Sequence, residues 1–130
     1  MTSKKYYVNA TEEEIIHIKH HQELQVWIEH LKYVNQESDQ LLKLDSSLNS
    51  NENNQLRSAL SEKNTSTHLL INELHTYKST LDNFKECNDL DCDLFYIEKQ
   101  DELRTKYLHH LRAYRLVKNR MYSKIIAPNK

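Results

Sequence analysis

The chain of 130 residues contains no glycine and one proline, Pro128. Tight hairpins, left-handed helix caps and phosphate-binding loops depend largely on glycine. The composition therefore excludes glycine-rich nucleotide motifs and disfavours strands joined by short turns. An all-α protein is predicted, and its length suits one domain with a modest core.

The sequence also lacks long hydrophobic runs, and its net charge is close to zero. It contains two cysteines. No apolar run approaches the length of a membrane span, and the start of the chain lacks a signal-peptide core. We therefore expect a cytoplasmic protein without membrane contact. The net charge of -1 gives no general attraction for nucleic acid. In the cytoplasm, Cys87 and Cys92 are expected to be free thiols.

Apolar residues recur at alternating intervals of three and four in three long segments, which is typical of packed helices. The first helix is predicted to start at a capping box, in which Thr11 and Glu14 satisfy each other's backbone amides. It should end in the Asn- and Ser-rich stretch 46–54. The second should run from about 52 to 86, and the third from the acidic turn 88–93 to about 126.

Each predicted helix has one inward-facing seam. The seam residues are His17, His20, Leu24, Trp27, Leu31, Val34, Ser38, Leu41, Asp45 and Leu48, then Leu56, Leu60, Lys63, Thr67, Leu70, Leu74, Tyr77, Leu81 and Phe84, and finally Leu90, Leu94, Ile97, Gln100, Leu103, Tyr107, Leu111, Tyr114, Val117, Met121 and Ile125.

Short connections place successive helices antiparallel. The sequence thus predicts an up-down-up three-helix bundle with coiled-coil-like packing over residues 11–127, preceded by a tail at 1–10. A break near Asn64 would give four helices, because the polar run that begins there competes for backbone hydrogen bonds. Trp27 should lie in the thickest core layer, near Leu103 and level with Leu70 or Leu74.

Eight histidines suggest a metal site as one alternative. A Glu-x-x-His step facing further acids and imidazoles is how helical bundles hold zinc, manganese or iron. The candidate ligands are Glu14, His17, His20, His21, His75 and Glu98. A variant joins Cys87 and Cys92 to His17 and His20. The competing interpretation is that these imidazoles are satisfied by neighbouring acids and backbone carbonyls.

His75-Thr76-Tyr77-Lys78 resembles the His-x-x-Lys of histidine phosphotransfer domains, which are helical bundles. The resemblance implies a phosphate-accepting His75 that faces solvent, with Lys78 one turn later to neutralise the phosphate. The glycine that follows the lysine in that family is Ser79 here. The stretch from Arg104 to His109 is similar to the Arg-x4-His of small helical ribonuclease toxins.

The third helix separates its charges. Acids dominate up to Glu102, and only bases follow from Arg104 onward. This order complements the helix macrodipole, and the basic half also suits an acidic partner, RNA or the acidic end of another copy. The predicted contact face consists of Arg112, Tyr114, Arg115, Lys118, Arg120, Tyr122 and Lys124.

Several stretches together resemble a group of short, uncharacterised all-helical proteins from Bacteroidota. They are His17-x-x-His20 with Trp27, the run 29–33, the run 72–75 and the run 102–104. The resemblance implies a stand-alone helical bundle and carries no function. The favoured hypothesis is a non-enzymatic protein that associates with itself or a protein partner, with metal binding, possible catalysis and phosphotransfer as alternatives.

Overall fold

A computed structural model describes residues 11–48, 54–82 and 90–126. These residues form three α-helices: α1 spans Glu12–Leu48, α2 spans Asn54–Asp82 and α3 spans Leu90–Ile126. The described parts contain no strand, which confirms the all-α prediction. The predicted tail at 1–10 lies outside the described residues.

The start of α1 follows the predicted capping box. The Thr11 amide donates to Glu14 Oε1 at 3.1 Å, and the Glu14 amide donates to Thr11 Oγ1 at 3.2 Å. These bonds satisfy two of the amides that a helix start leaves without an intrahelical acceptor. The third helix starts at Leu90, within the stretch predicted as a turn, and its first turn carries Asp91 and Asp93.

Contacts between α1 and α2 show that the two helices are antiparallel. His17 near the start of α1 meets Leu81 near the end of α2, while Asp45 near the end of α1 meets Arg57 near the start of α2. Residue numbers therefore increase in opposite directions along the two helices.

The third helix runs parallel to α1. Gln100 contacts His20 near one end of the pair, and Lys124 contacts Asp45 near the other. Residue numbers therefore increase in the same direction along both helices. With α2 antiparallel to both, the up-down-up bundle is confirmed.

The buried hydrophobic side chains form one cluster that runs along all three helices. It comprises Leu24, Trp27, Ile28, Leu31, Val34, Leu41, Leu60, Leu70, Ile71, Leu74, Tyr77, Leu81, Leu103, Tyr107, Leu111, Tyr114 and Met121. All belong to the predicted seams except Ile28 and Ile71. Each of these two residues follows a seam position by one, so it widens the buried stripe.

The predicted seam is wrong at the start of α3. Leu90, Leu94 and Ile97 are exposed there, whereas Tyr96 packs against the core. The heptad phase explains the error: counting back seven residues from Leu103 gives Tyr96 as the inward position and not Ile97.

The polar run at 64–67 does not break α2. Thr67 Oγ1 donates to the Lys63 carbonyl at 2.7 Å, and Asn64 Nδ2 donates to Asp39 Oδ1 on α1 at 2.8 Å. Because these side chains bond within the helix and across to α1, they do not disrupt the backbone ladder. The four-helix alternative is therefore wrong for the described residues.

Candidate functional site

The interface between α1 and α3 is bridged largely by polar side chains. The first helix packs most extensively on α2 and least on α3. At one level, Arg104 donates to Glu23 through Nε at 2.8 Å and through Nη2 at 2.6 Å, while Gln100 Nε2 donates to Glu23 at 2.9 Å. Arg104 also pairs with Asp101 on its own helix. These polar side chains therefore link α1 and α3 at this level.

These bonds set the protonation of the pair. Burial alone would raise the pKa of Glu23, but hydrogen bonds from Arg104 and Gln100 outweigh it and lower that pKa. The same bond with Glu23 raises the pKa of Arg104. Both groups are charged at neutral pH, so this bridge is an ion pair.

Two further bridges link the same helices toward their C-terminal ends. Glu37 accepts from the Tyr114 hydroxyl at 2.7 Å and lies 3.1 Å from Lys118 Nζ. Burial, followed by the bond to Glu37, raises the pKa of Tyr114. Asp45 is 1% exposed and pairs with Arg57 of α2 at 3.0 Å and Lys124 of α3 at 2.8 Å. One buried carboxylate thus ties all three helices together.

Several histidines join neighbouring helices as hydrogen-bond partners. The imidazoles of His17, His30, His68 and His110 contact the Leu81 carbonyl, the Tyr107 hydroxyl, the Asn35 amide and the Thr67 hydroxyl, respectively. Since Thr67 gives its only proton to the Lys63 carbonyl, His110 Nε2 must donate to Thr67 Oγ1. Burial lowers the pKa of His20 and of His110, so both favour the neutral form.

The predicted metal ligands are not brought together. In the described parts of the chain, no group of three or more histidine, cysteine, aspartate or glutamate side chains is positioned to hold a metal ion. Glu14 serves the capping box and His17 donates to a carbonyl. His75 and Glu98 are exposed. His20 and His21 are half-buried on α1.

The cysteine prediction needs correction. Cys92 is disulfide-bonded, so it is neither the expected free thiol nor a thiolate ligand for the Cys2His2 variant. The other cysteine of the chain, Cys87, lies outside the described residues. A stable disulfide is more typical of oxidising compartments than of the cytoplasm.

The residues of the two short motifs are placed differently. His75 is exposed on α2 with Lys78 one turn later, as the phosphotransfer resemblance requires. Arg104 of the Arg-x4-His motif is held by Glu23 and Asp101, whereas His109 is exposed. The guanidinium is therefore committed to a bridge between helices and does not stand beside His109 as a free catalytic group.

Part of the predicted contact face is used inside the bundle. Tyr114 is buried against the core because it lies on the α3 seam, so its prediction as a contact residue is wrong. Lys118 and Lys124 are engaged by carboxylates of α1. The four remaining members of the face, Arg112, Arg115, Arg120 and Tyr122, are exposed.

Two surface pockets lie along the α1–α3 interface. The first is lined by Ile16, Val26 and Arg104, among others, and includes Glu23. The second is lined by Tyr33, Leu44 and Tyr122, among others, and includes Glu37. We call the surface that these six residues define, with its two pockets, the α1–α3 groove.

Most exposed large apolar side chains of the described residues belong to α1 and α3, and five of them line this groove. Among the described residues, α2 exposes one large hydrophobic side chain, Leu69. The other exposed ones belong to α1 and α3: Ile16, Val26, Tyr33, Leu44, Leu90, Leu94, Phe95, Ile97, Leu108, Leu116, Tyr122 and Ile126. Val26, Tyr33 and Leu108 lie outside the predicted core seams and were not predicted as contact residues. A search for a second apolar repeat, offset from each seam, would have found them.

No protein family, curated protein or solved structure matches this chain. Within the described residues, no helix is both long enough and apolar enough to cross a lipid bilayer.

Proposed function

We propose that this protein works by association and not by catalysis, and that the α1–α3 groove is its contact surface. The observation that carries this proposal is the exposed apolar side chains along the groove. Val26 and Tyr33, which are 64% and 68% exposed, face it from α1, and Tyr122 faces it from α3. Contiguous apolar surface bordered by polar groups is typical of interaction sites.

The construction of the groove also supports a binding role. The ion pairs of Glu23 and Glu37 link α1 and α3 at the two pockets that these carboxylates help to line. A preformed groove loses little conformational freedom when it is occupied, which favours binding. An added helix could cover the apolar side chains as α2 covers those on the opposite side of the α1–α3 pair.

The test compares glutamate substitutions at two equally exposed apolar residues, one valine and one leucine. Val26→Glu lies in the groove, and Leu69→Glu lies on α2; both native side chains are 64% exposed. Each variant and the wild type are purified from the native host together with a differently tagged second copy. We expect association, whether with the second copy or with another protein, to be lost only in Val26→Glu. A wild-type protein with no associated chain, or equal loss in both variants, would contradict the proposal.

Phosphotransfer through His75 is the second candidate function. It is favoured by the solvent exposure of this imidazole and by Lys78 on the next turn. His75 would accept a phosphoryl group from a response regulator, and Lys78 would offset its charge. The test is acid-labile labelling from a phosphorylated regulator, which should be lost in His75→Gln and kept in His109→Gln. Labelling that survives His75→Gln would rule this role out.

Nucleic acid is a weaker proposal than a protein partner. Of the basic residues in the second half of α3, four are engaged by carboxylates of α1 or α2: Arg104, Lys106, Lys118 and Lys124. Arg112, Arg115 and Arg120 are the exposed ones that remain. Without a continuous basic surface, phosphate contacts would be few and binding weak at physiological salt.

The cytoplasmic location also stays a proposal, and the disulfide at Cys92 counts against it. Alkylation of native cells before lysis tests both together. If the protein is cytoplasmic and its cysteines are reduced, Cys92 should be alkylated without added reductant. Labelling that requires prior reduction would instead support an oxidising compartment.

A further inference from the structure

Five exposed residues of α3 follow one another at intervals of seven. They are Leu94, Asp101, Leu108, Arg115 and Tyr122. In supercoiled helices this spacing keeps residues on one face, and Tyr122 places that face along the α1–α3 groove. The three apolar members are 40%, 44% and 37% exposed in chain order. We call this series the α3 stripe.

The α3 stripe is symmetric about Leu108. Read in either direction from Leu108, it presents one charged residue and then one apolar residue, but the charges are opposite: Asp101 on one side and Arg115 on the other. Each heptad spans roughly 10 Å along the helix axis. A second copy turned end to end would therefore meet each acid with a base and each outer apolar side chain with another.

We propose that the α1–α3 groove binds a second copy of this chain in antiparallel orientation, with a two-fold axis close to Leu108. This inference rests on the proposed function and names its partner. The axis brings Asp101 of one copy level with Arg115 of the other, twice by symmetry, and Leu94 level with Tyr122. A parallel pair would place like charges together at both levels, which disfavours it.

The rest of the surface agrees with this orientation. Over the described part of α3, Asp91, Asp93, Glu98, Asp101 and Glu102 lie before Arg104, and only basic charged residues lie from there to the end of the helix. Antiparallel pairing thus sets the acidic first half of one α3 against the exposed Arg112, Arg115 and Arg120 of the other. Arg115 forms no ion pair with any described residue, while Asp101 is exposed and shares Arg104 with Glu23.

Closed two-fold pairing also explains why apolar side chains occur on both sides of the groove. When α3 of one copy lies in the groove of the other, it contacts α1 and α3 together. Val26 and Tyr33 then gain partners along with Leu108. The interface is isologous, so the same residues on each copy are covered and no open end remains for further growth.

The test exchanges the charges and measures molecular mass by sedimentation equilibrium. Wild type is expected to dimerise. Arg115→Glu places two acids at each charged level, and Asp101→Arg places two bases there, so each variant should weaken the dimer by about tenfold or more. The decisive sample is their equimolar mixture, in which every level again holds one acid and one base, and we expect the dimer to return. The double variant Asp101→Arg/Arg115→Glu should also dimerise.

Two controls separate surface effects from misfolding. Leu108→Glu places two carboxylates at the axis and should give a monomer, whereas Leu116→Glu changes an exposed leucine outside the α3 stripe and should leave the dimer intact. Thermal melting followed by circular dichroism should find both folded. Wild type that sediments as a monomer at its highest soluble concentration overturns the inference, as does a mixture that fails to associate. If the dimer is not found but Val26→Glu still abolishes binding of a different host protein, the proposed function is retained and only the dimer inference is overturned.

Discussion

The indole of Trp27 stacks on the ring of Tyr107, with their centroids 5.2 Å apart and their planes at 23°. The Arg104 guanidinium lies 5.8 Å from the indole centroid, so the same ring also contacts the charged bridge to Glu23. Trp27 is 6% exposed, which confirms that it belongs to the core. The apolar core and the polar α1–α3 interface therefore meet at this residue.

Replacing Trp27 by alanine should lower the free energy of unfolding by about 3 to 5 kcal/mol, because the stack and most of a buried indole are lost. Val26→Ala, one position away but in the groove, should change it by less than about 0.5 kcal/mol. Urea denaturation followed by circular dichroism measures both. Similar losses at the two positions would contradict this assignment of buried and exposed faces.

Asp45→Asn should destabilise the bundle by about 3 kcal/mol, because it removes the buried carboxylate that Lys124 and Arg57 share. The matched variant is Asp39→Asn, whose native carboxylate accepts from Asn64 at an exposed site. It should cost about 0.5 kcal/mol or less. Denaturant midpoints compare the two, and equal costs would show that Asp45 does not link the three helices.

Two buried tyrosines should respond oppositely to loss of their hydroxyls. Tyr114→Phe removes a donor to Glu37 and should cost about 1 to 2 kcal/mol. The Tyr77 hydroxyl is buried without a hydrogen-bond partner among the described residues, and burial raises the pKa of Tyr77 to about 12. Tyr77→Phe should therefore be neutral or stabilising. Thermal melts of both variants test this, and a larger loss from Tyr77→Phe would contradict it.

Stability should decline as the pH falls below the ordinary histidine pKa of 6.5. Burial lowers the pKa of His20 and of His110 in the folded state. Between the lowered values and 6.5, the unfolded chain binds more protons than the folded one, so acid favours unfolding. The contribution is present above 6.5 and is lost as the pH falls through the folded pKa values. Urea midpoints across this range should fall less steeply for the His20→Gln/His110→Gln variant; an unchanged slope would assign the effect elsewhere.

Periodicity predicted the core well because burial depends on which face a residue occupies. Apart from Ile28 and Ile71, the buried apolar positions of α1 and α2 were found from spacing alone, and so was the capping box at Thr11. The predicted seam position Phe84 lies outside the described residues. The error at Leu94 arose because apolar residues at intervals of three and four look the same in sequence whether their face of the helix packs on another helix or meets solvent. Only the heptad phase, anchored at Leu103, distinguishes the two cases.

The candidate site was harder to predict because it depends on relations between helices. The bridge from Arg104 to Glu23 and the groove beside it require the parallel register of α1 and α3. Spacing within one helix contains no information on that register. The same limit applies to the predicted metal site. Histidines that share a face of α1 do not determine which acidic residues of the other helices lie opposite them.

A photo-cross-linking amino acid at position 108 tests the antiparallel association most directly. A mixture of natural-abundance and 15N-labelled protein identifies cross-links between copies by mass spectrometry. The proposed two-fold axis predicts that position 108 of one copy links to residues close to 108 of another, while the same group at position 116 gives far fewer links between copies. Links from position 108 only within one chain, or mainly to α2 of another copy, would contradict the account.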